Sequence, residues 1–158
     1  MKKRIYIDTS IPSAYYTLRT DDGSRARQRV TRQWWDEYAN VFILTSSPAV
    51  IEELSDGISE KTRDRIALVE NLEILPITAD IRQIMQLYID RFIMPQDPSG
   101  DALHLAIASF HRMDTLLTWN RSHIANASKI PIIQRINREL GLATPELTTP
   151  LNYLGGSG

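Results

Sequence analysis

Two rhythms divide the chain. Short runs of β-prone apolar residues, "RIYID" (4–8), "VFILT" (41–45), "LEILPI" (72–77) and "TLLT" (115–118), alternate with longer stretches whose apolar residues fall three and four apart. The first kind reads as buried strand, the second as amphipathic helix. "TSIPSAYYTLR" predicts an early helix capped by Thr9 or Ser10, and between 24 and 38 the helical face is Val30, Trp34 and Tyr38, with Trp35 beside it. After "VFILT", Ser47 can cap and Pro48 can open a helix whose stripe is Val50, Ile51, Leu54 and Ile58. Helices are also expected over 59–70, along Ile81, Ile84, Met85, Tyr88 and Phe92, and along Leu103, Ala106, Ile107 and Phe110. "IPII" (130–133) reads as a last short strand before a helix ended by Gly141, and "GLATPELTTPLNYL" as a proline-punctuated segment wrapping the surface.

Strands separated by helices imply a parallel sheet with a helical layer on each face. The expected fold is therefore a three-layer α/β/α sandwich with a central, mainly parallel sheet. With 158 residues, 42% of them apolar, the chain suits one domain over 1–154, followed by a flexible glycine–serine tail at 155–158 that carries no argument. Eighteen basic residues against nineteen acidic ones leave a net charge of -1, so any nucleic-acid contact must come from a local patch. Cysteine is missing, which excludes disulfides and thiolate-held metals. "MKKRIYIDTS" lacks the apolar core of a secretion signal, and no apolar run reaches the roughly 20 residues of a membrane span. A cytoplasmic protein with no membrane role is expected.

Ligands of open parallel sheets bind beyond the carboxyl ends of the strands. Asp8 ends the first strand, Asn120 follows "TLLT", and Asp101 opens the helix that leads into "TLLT", so these residues should meet at one edge. Glu53 should reach the same edge, because it lies closer than Glu52 to the Val50 and Leu54 side of its helix. Taken singly, each has an ordinary explanation as turn, cap or solvated face. Together they repel unless a positive charge sits among them, and a hard divalent cation, Mg²⁺ or Mn²⁺, held by Asp8, Asp101 and Glu53, answers that need. Such an ion suits phosphodiester hydrolysis, whereas His104, His111 and His123 show no zinc-type spacing. His104 shares Asp101's face but nothing in an oxygen-ligand site calls for it; it reads as packing, or as support behind the ligands.

The order "YIDTS", "VIEEL", "GDALHLAIAS", "LLTWNRSHI" resembles PIN-domain ribonucleases, and among them the VapC-type toxins of bacterial toxin–antitoxin pairs. The resemblance runs from about Ile5 to about Leu140. It implies a Mg²⁺- or Mn²⁺-dependent endoribonuclease with Asp8, Glu53, Asp101 and Asn120 as its catalytic set. It also implies Thr9 and Thr118 as hydroxyls flanking the pocket, a homodimer, and a small antitoxin whose segment fills the groove. Many relatives carry aspartate at the position of Asn120 or of His123; neither is acidic here. Asn120 can coordinate through its carbonyl or orient a water, and His123 can meet a phosphate.

Substrate RNA needs cations, and Arg25, Arg29 and Arg32 follow one another at helical spacing. Trp34 fits the core pattern, whereas Trp119 sits beside Asn120 at the expected site. Two other readings stay open. One is a metal-free acid–base pair of His104 and His123; the other is a catalytically weak domain that acts by binding RNA or protein.

Overall fold

The computed structural model describes residues 2–91, 100–124 and 128–154, without the side chains at 122 and 123. The expected helical position Phe92, the "MPQDPS" segment and the tail 155–158 lie outside them. Strands β1 (Arg4–Ile7), β2 (Ile43–Ser46), β3 (Glu73–Ile74), β4 (Thr115–Leu117) and β5 (Glu146–Thr148) form one sheet in the order β3-β2-β1-β4-β5. Every pairing in it is parallel. The chain thus builds outward from β1 to β3 on one side, then returns to lay β4 and β5 on the other. That reversal leaves a crevice between the carboxyl ends of β1 and β4, where open α/β sheets take their ligands.

Helices α1 (Ser10–Tyr15), α2 (Asp22–Tyr38), α3 (Pro48–Asp56) and α4 (Thr62–Glu70) pack together. On α5 (Ala79–Asp90) packs α6 (Asp101–Phe110), which also meets β4 and α7 (Arg121–Ile124). The helices α8 (Ile130–Glu139) and α9 (Leu151–Leu154) complete the chain, α9 against α2. Among the described residues no helix is long and apolar enough to cross a membrane. The core is aliphatic at the sheet, with Ile5, Ile7, Leu116 and Leu117 buried, and Trp34 is buried as its pattern predicts. This is the three-layer parallel α/β architecture expected from the alternation of strand and helix.

Several boundaries move for local reasons. β2 starts at Ile43 because Ala39–Val41 are used in ending α2, and Val41 stays 51% exposed. In β3 only two residues pair; Leu75 makes one more bond to Ser46, and Pro76 has no N–H with which to continue. Ile58 is fully exposed rather than part of a stripe, since α3 has ended at Asp56 with Gly57 as its cap. The "IPII" strand is overturned: these residues are the first turn of α8, with Pro131 where a missing N–H costs nothing and Ile133 and Ile136 buried three apart. Gly141 does end that helix, at φ 74°, the left-handed position that favours glycine. The tail is more than a surface wrap, because "ELT" within it is the edge strand β5.

Candidate active site at the switch point

Asp8 is the residue after β1, and its backbone N–H still reaches Leu117 of the neighbouring strand at 3.4 Å. Its carboxylate is 2% exposed and accepts bonds from the Ser10 amide (3.0 Å) and hydroxyl (2.5 Å). Ser10 Oγ in turn accepts from the Trp119 amide at 2.8 Å and lies 3.4 Å from the Thr118 hydroxyl. Thr118 accepts from the Asn120 amide at 2.9 Å. The start of α1 and the exit of β4 are therefore stitched together around one carboxylate. Burial pushes the Asp8 carboxyl above the ordinary range, against the pull of His104, Ser10 and Thr118.

Glu53 turns inward from α3 while Glu52 faces solvent, as the helical wheel requires. Both of its oxygens are held, one by the Thr9 hydroxyl at 2.6 Å and the other by His104 Nε2 at 2.9 Å, with 22% of the side chain exposed. Thr9, expected as a helix cap or a flanking hydroxyl, makes no side-chain capping bond and instead orients a carboxylate. His104 is 3% exposed and spans the site: its Nδ1 lies 2.7 Å from the Tyr6 hydroxyl, which lies 2.8 Å from Ser47 Oγ. Burial opposes its protonation, but the Glu53 bond and charge, followed by Asp8 and Asp101, more than offset that and raise its pKa. One imidazole thus feels all three carboxylates that the sequence singles out. Asp101 stands in the first turn of α6, after Gly100, where a negative charge is favoured by the helix dipole.

Tyr6, Ser10 and Ser47 are site residues that the sequence reading passed over. Tyr6 had a signal: residues two apart on a strand share a face, so it lies with Asp8. Burial raises the Tyr6 pKa well above its ordinary value, which keeps the phenol protonated as a hydrogen-bond donor. Of the two readings of His104, packing or support behind the acids, its bonds to Glu53 and Tyr6 favour the second. With both ring nitrogens engaged inside the protein, it is not placed to serve as one half of an acid–base pair. His123 lies in α7, but its side chain is outside the described residues.

The arginines sort differently from their helical face. Arg25 and Arg29 are exposed on α2. Arg32 is committed to α1, donating to the Tyr15 carbonyl at 2.9 Å and covering the rings of Tyr15 and Tyr16. Arg27, on a different face, approaches the site and lies 5.4 Å from the centre of the Trp119 ring.

Asp8, Glu53 and Asp101 offer only oxygen donors. Among the described residues no three His, Asp or Glu side chains close into a ready-made metal cage. Oxygen-only donors are the kind that a hard divalent cation takes, often through one or two carboxylates with the rest of its shell water. Burial alone raises the Asp8 carboxyl, and a cation bound at this carboxylate would offset that cost.

Residues 5–129 match the family model described as PIN domain. Two solved structures share the fold. The structure of VapBC2 from Rickettsia felis bound to a DNA fragment from their promoter aligns with a TM-score of 0.58 at 14% identity, covering 92% of this chain and 98% of that one. Mycobacterium tuberculosis VapC20, a Sarcin-Ricin loop cleaving toxin, aligns with a TM-score of 0.56 at 15% identity, covering 81% and 94%. No curated protein matches the sequence.

Proposed function

This chain belongs to the PIN domain family, and on that premise we propose that it is a metal-dependent endoribonuclease, the toxin of a toxin–antitoxin pair. The observation that carries the reading is the Asp8 carboxylate buried at the switch point of the sheet, with Glu53 bonded to the buried His104 imidazole, on which the charges of Asp8 and Asp101 also act. Asp8 and Asp101, with Glu53, would hold Mg²⁺ or Mn²⁺. The ion when bound would supply a lowered pKa for a water and positive charge against the phosphate. Thr9 and His104 fix the rotamer of Glu53 and Ser10 fixes Asp8, while the Asn120 carboxamide would serve a water or a phosphate oxygen. The likeness to VapBC2 and VapC20 supports RNA as substrate and a small antitoxin as partner, with a homodimer as the expected assembly.

A second reading, a catalytically weak domain that binds RNA or protein, is favoured by the open donor set and by Asn120 and His123 standing where many relatives have acids. Single-turnover cleavage of a ribo-oligonucleotide separates the two. Wild type with Mn²⁺ should cut, and EDTA or Asp101→Ala should each lower the rate at least about a hundredfold, on the scale of losing a transition-state electrostatic contact. Cleavage that survives both removes the metal reading. Failure to cut, together with no heat of Mn²⁺ binding at millimolar concentration, favours the binding domain.

A further inference from the structure

A cleft of about 210 Å³ opens where α1 and α2 meet the segment leaving β4. Its walls include Ser13, Thr17, Ser24, Arg27, Trp119 and Asn120, and none of its lining residues among those described is acidic. Ser10 lines it too, and Ser10 is also the residue that holds Asp8, so the cleft adjoins that carboxylate. Trp119 is only half buried, yet it is rigid: its Nε1 donates to Thr31 Oγ1 at 2.9 Å and its amide to Ser10 Oγ at 2.8 Å. Arg27 covers this indole and, among the described residues, pairs with no carboxylate. Arg32 and Arg65, by contrast, are tied to the carbonyls of Tyr15 and Tyr16.

We propose that this cleft is the subsite for the unpaired nucleotide next to the scissile phosphate of RNA, with its base on the Trp119–Arg27 pair and its phosphate on Arg27. The assignment rests on the nuclease reading above and adds the residues that grip the strand. Indole and guanidinium planes both accept bases of any identity, and an unpaired cation supplies the phosphate contact. A basic peptide segment would meet Arg27 with like charge. A base already paired in a duplex has no free face to offer.

The test is anisotropy of a fluorescein-labelled, fully 2′-O-methyl single-stranded octanucleotide of mixed sequence, titrated with the full chain in EDTA. Trp119→Ala should weaken binding roughly 5- to 150-fold, the span of one base–aromatic stack, and Trp119→Phe should recover most of it. Arg27→Gln should weaken binding and reduce the slope of log K against log salt by about 0.7, the loss of one single-strand phosphate contact. Arg138→Gln, an exposed arginine on α8, controls for net charge and should change nothing. The subsite is wrong if Trp119→Ala and Arg27→Gln bind as wild type does, or if Trp119→Phe is as poor as Trp119→Ala while melting normally. Cleavage of the matching ribo-oligomer in Mn²⁺ separates the two claims. Metal-dependent cutting whose KM ignores both substitutions sinks the subsite alone, whereas Trp119-dependent binding without cutting sinks the nuclease reading, and with it the subsite's place beside a scissile phosphate, and leaves only a single-strand-binding cleft.

Discussion

At the scale of single residues, the site carries Asp8 at a cost to the fold. A buried carboxylate whose pKa is raised in the folded state destabilises that state once ionised; the cost is absent below the unfolded value near 3.9 and complete above the raised folded value. His104 works the other way. Its raised pKa stabilises the fold below the unfolded value near 6.5, and that contribution is lost as pH climbs through the folded value. Asp8→Asn should therefore melt higher than wild type at pH 7 in EDTA, by about 2–4 °C for each kcal/mol relieved, and the gap should close near pH 3.5. Equal melting at pH 7 would show that Asp8 is not strained by its burial. The positions of Asp8 and Asp101 in the fold were legible from the sequence because strand ends and helix starts are, and the inward turn of Glu53 followed from the helical wheel. The role of His104 was not, since its partners Tyr6 and Glu53 lie 98 and 51 residues away and only the fold brings them to its two nitrogens.

Among elements, the parallel strands and long helices followed from apolar spacing, while short pieces did not. A four-residue apolar run such as "IPII" fits strand and helix equally, and only the next turn, with Ile136 and Asn137 buried, settles it. Asn137 belongs to a buried polar cluster that no pattern announces. Its Oδ1 accepts from the Tyr88 hydroxyl at 2.5 Å, and its Nδ2 donates to Ser109 at 3.2 Å and to Thr144 at 3.0 Å. The cluster ties α5, α6 and α8 together, and burial pushes the Tyr88 phenol up to about 12. Asn137→Leu should destabilise the protein by about 1–3 kcal/mol, because it strands buried partners rather than merely deleting a bond. Urea unfolding with an unchanged midpoint would contradict this.

For the whole molecule, a near-neutral net charge hides a polarised switch point, with the charges of three carboxylates acting on His104 and a cleft lined by Arg27 and Trp119 next to Asp8. Composition shows neither, because the contrast is created by folding. The strand reversal that puts β4 beside β1 brings Asp8 and Trp119 onto one serine, the adjacency on which the proposed subsite depends. The central claim is that this site hydrolyses RNA with water as the nucleophile. End-group analysis of products made by wild type in Mn²⁺ tests it most directly. The account predicts 5′-phosphate and 3′-hydroxyl ends; a 2′,3′-cyclic phosphate would mean that the RNA's own 2′-hydroxyl attacks, and would contradict it.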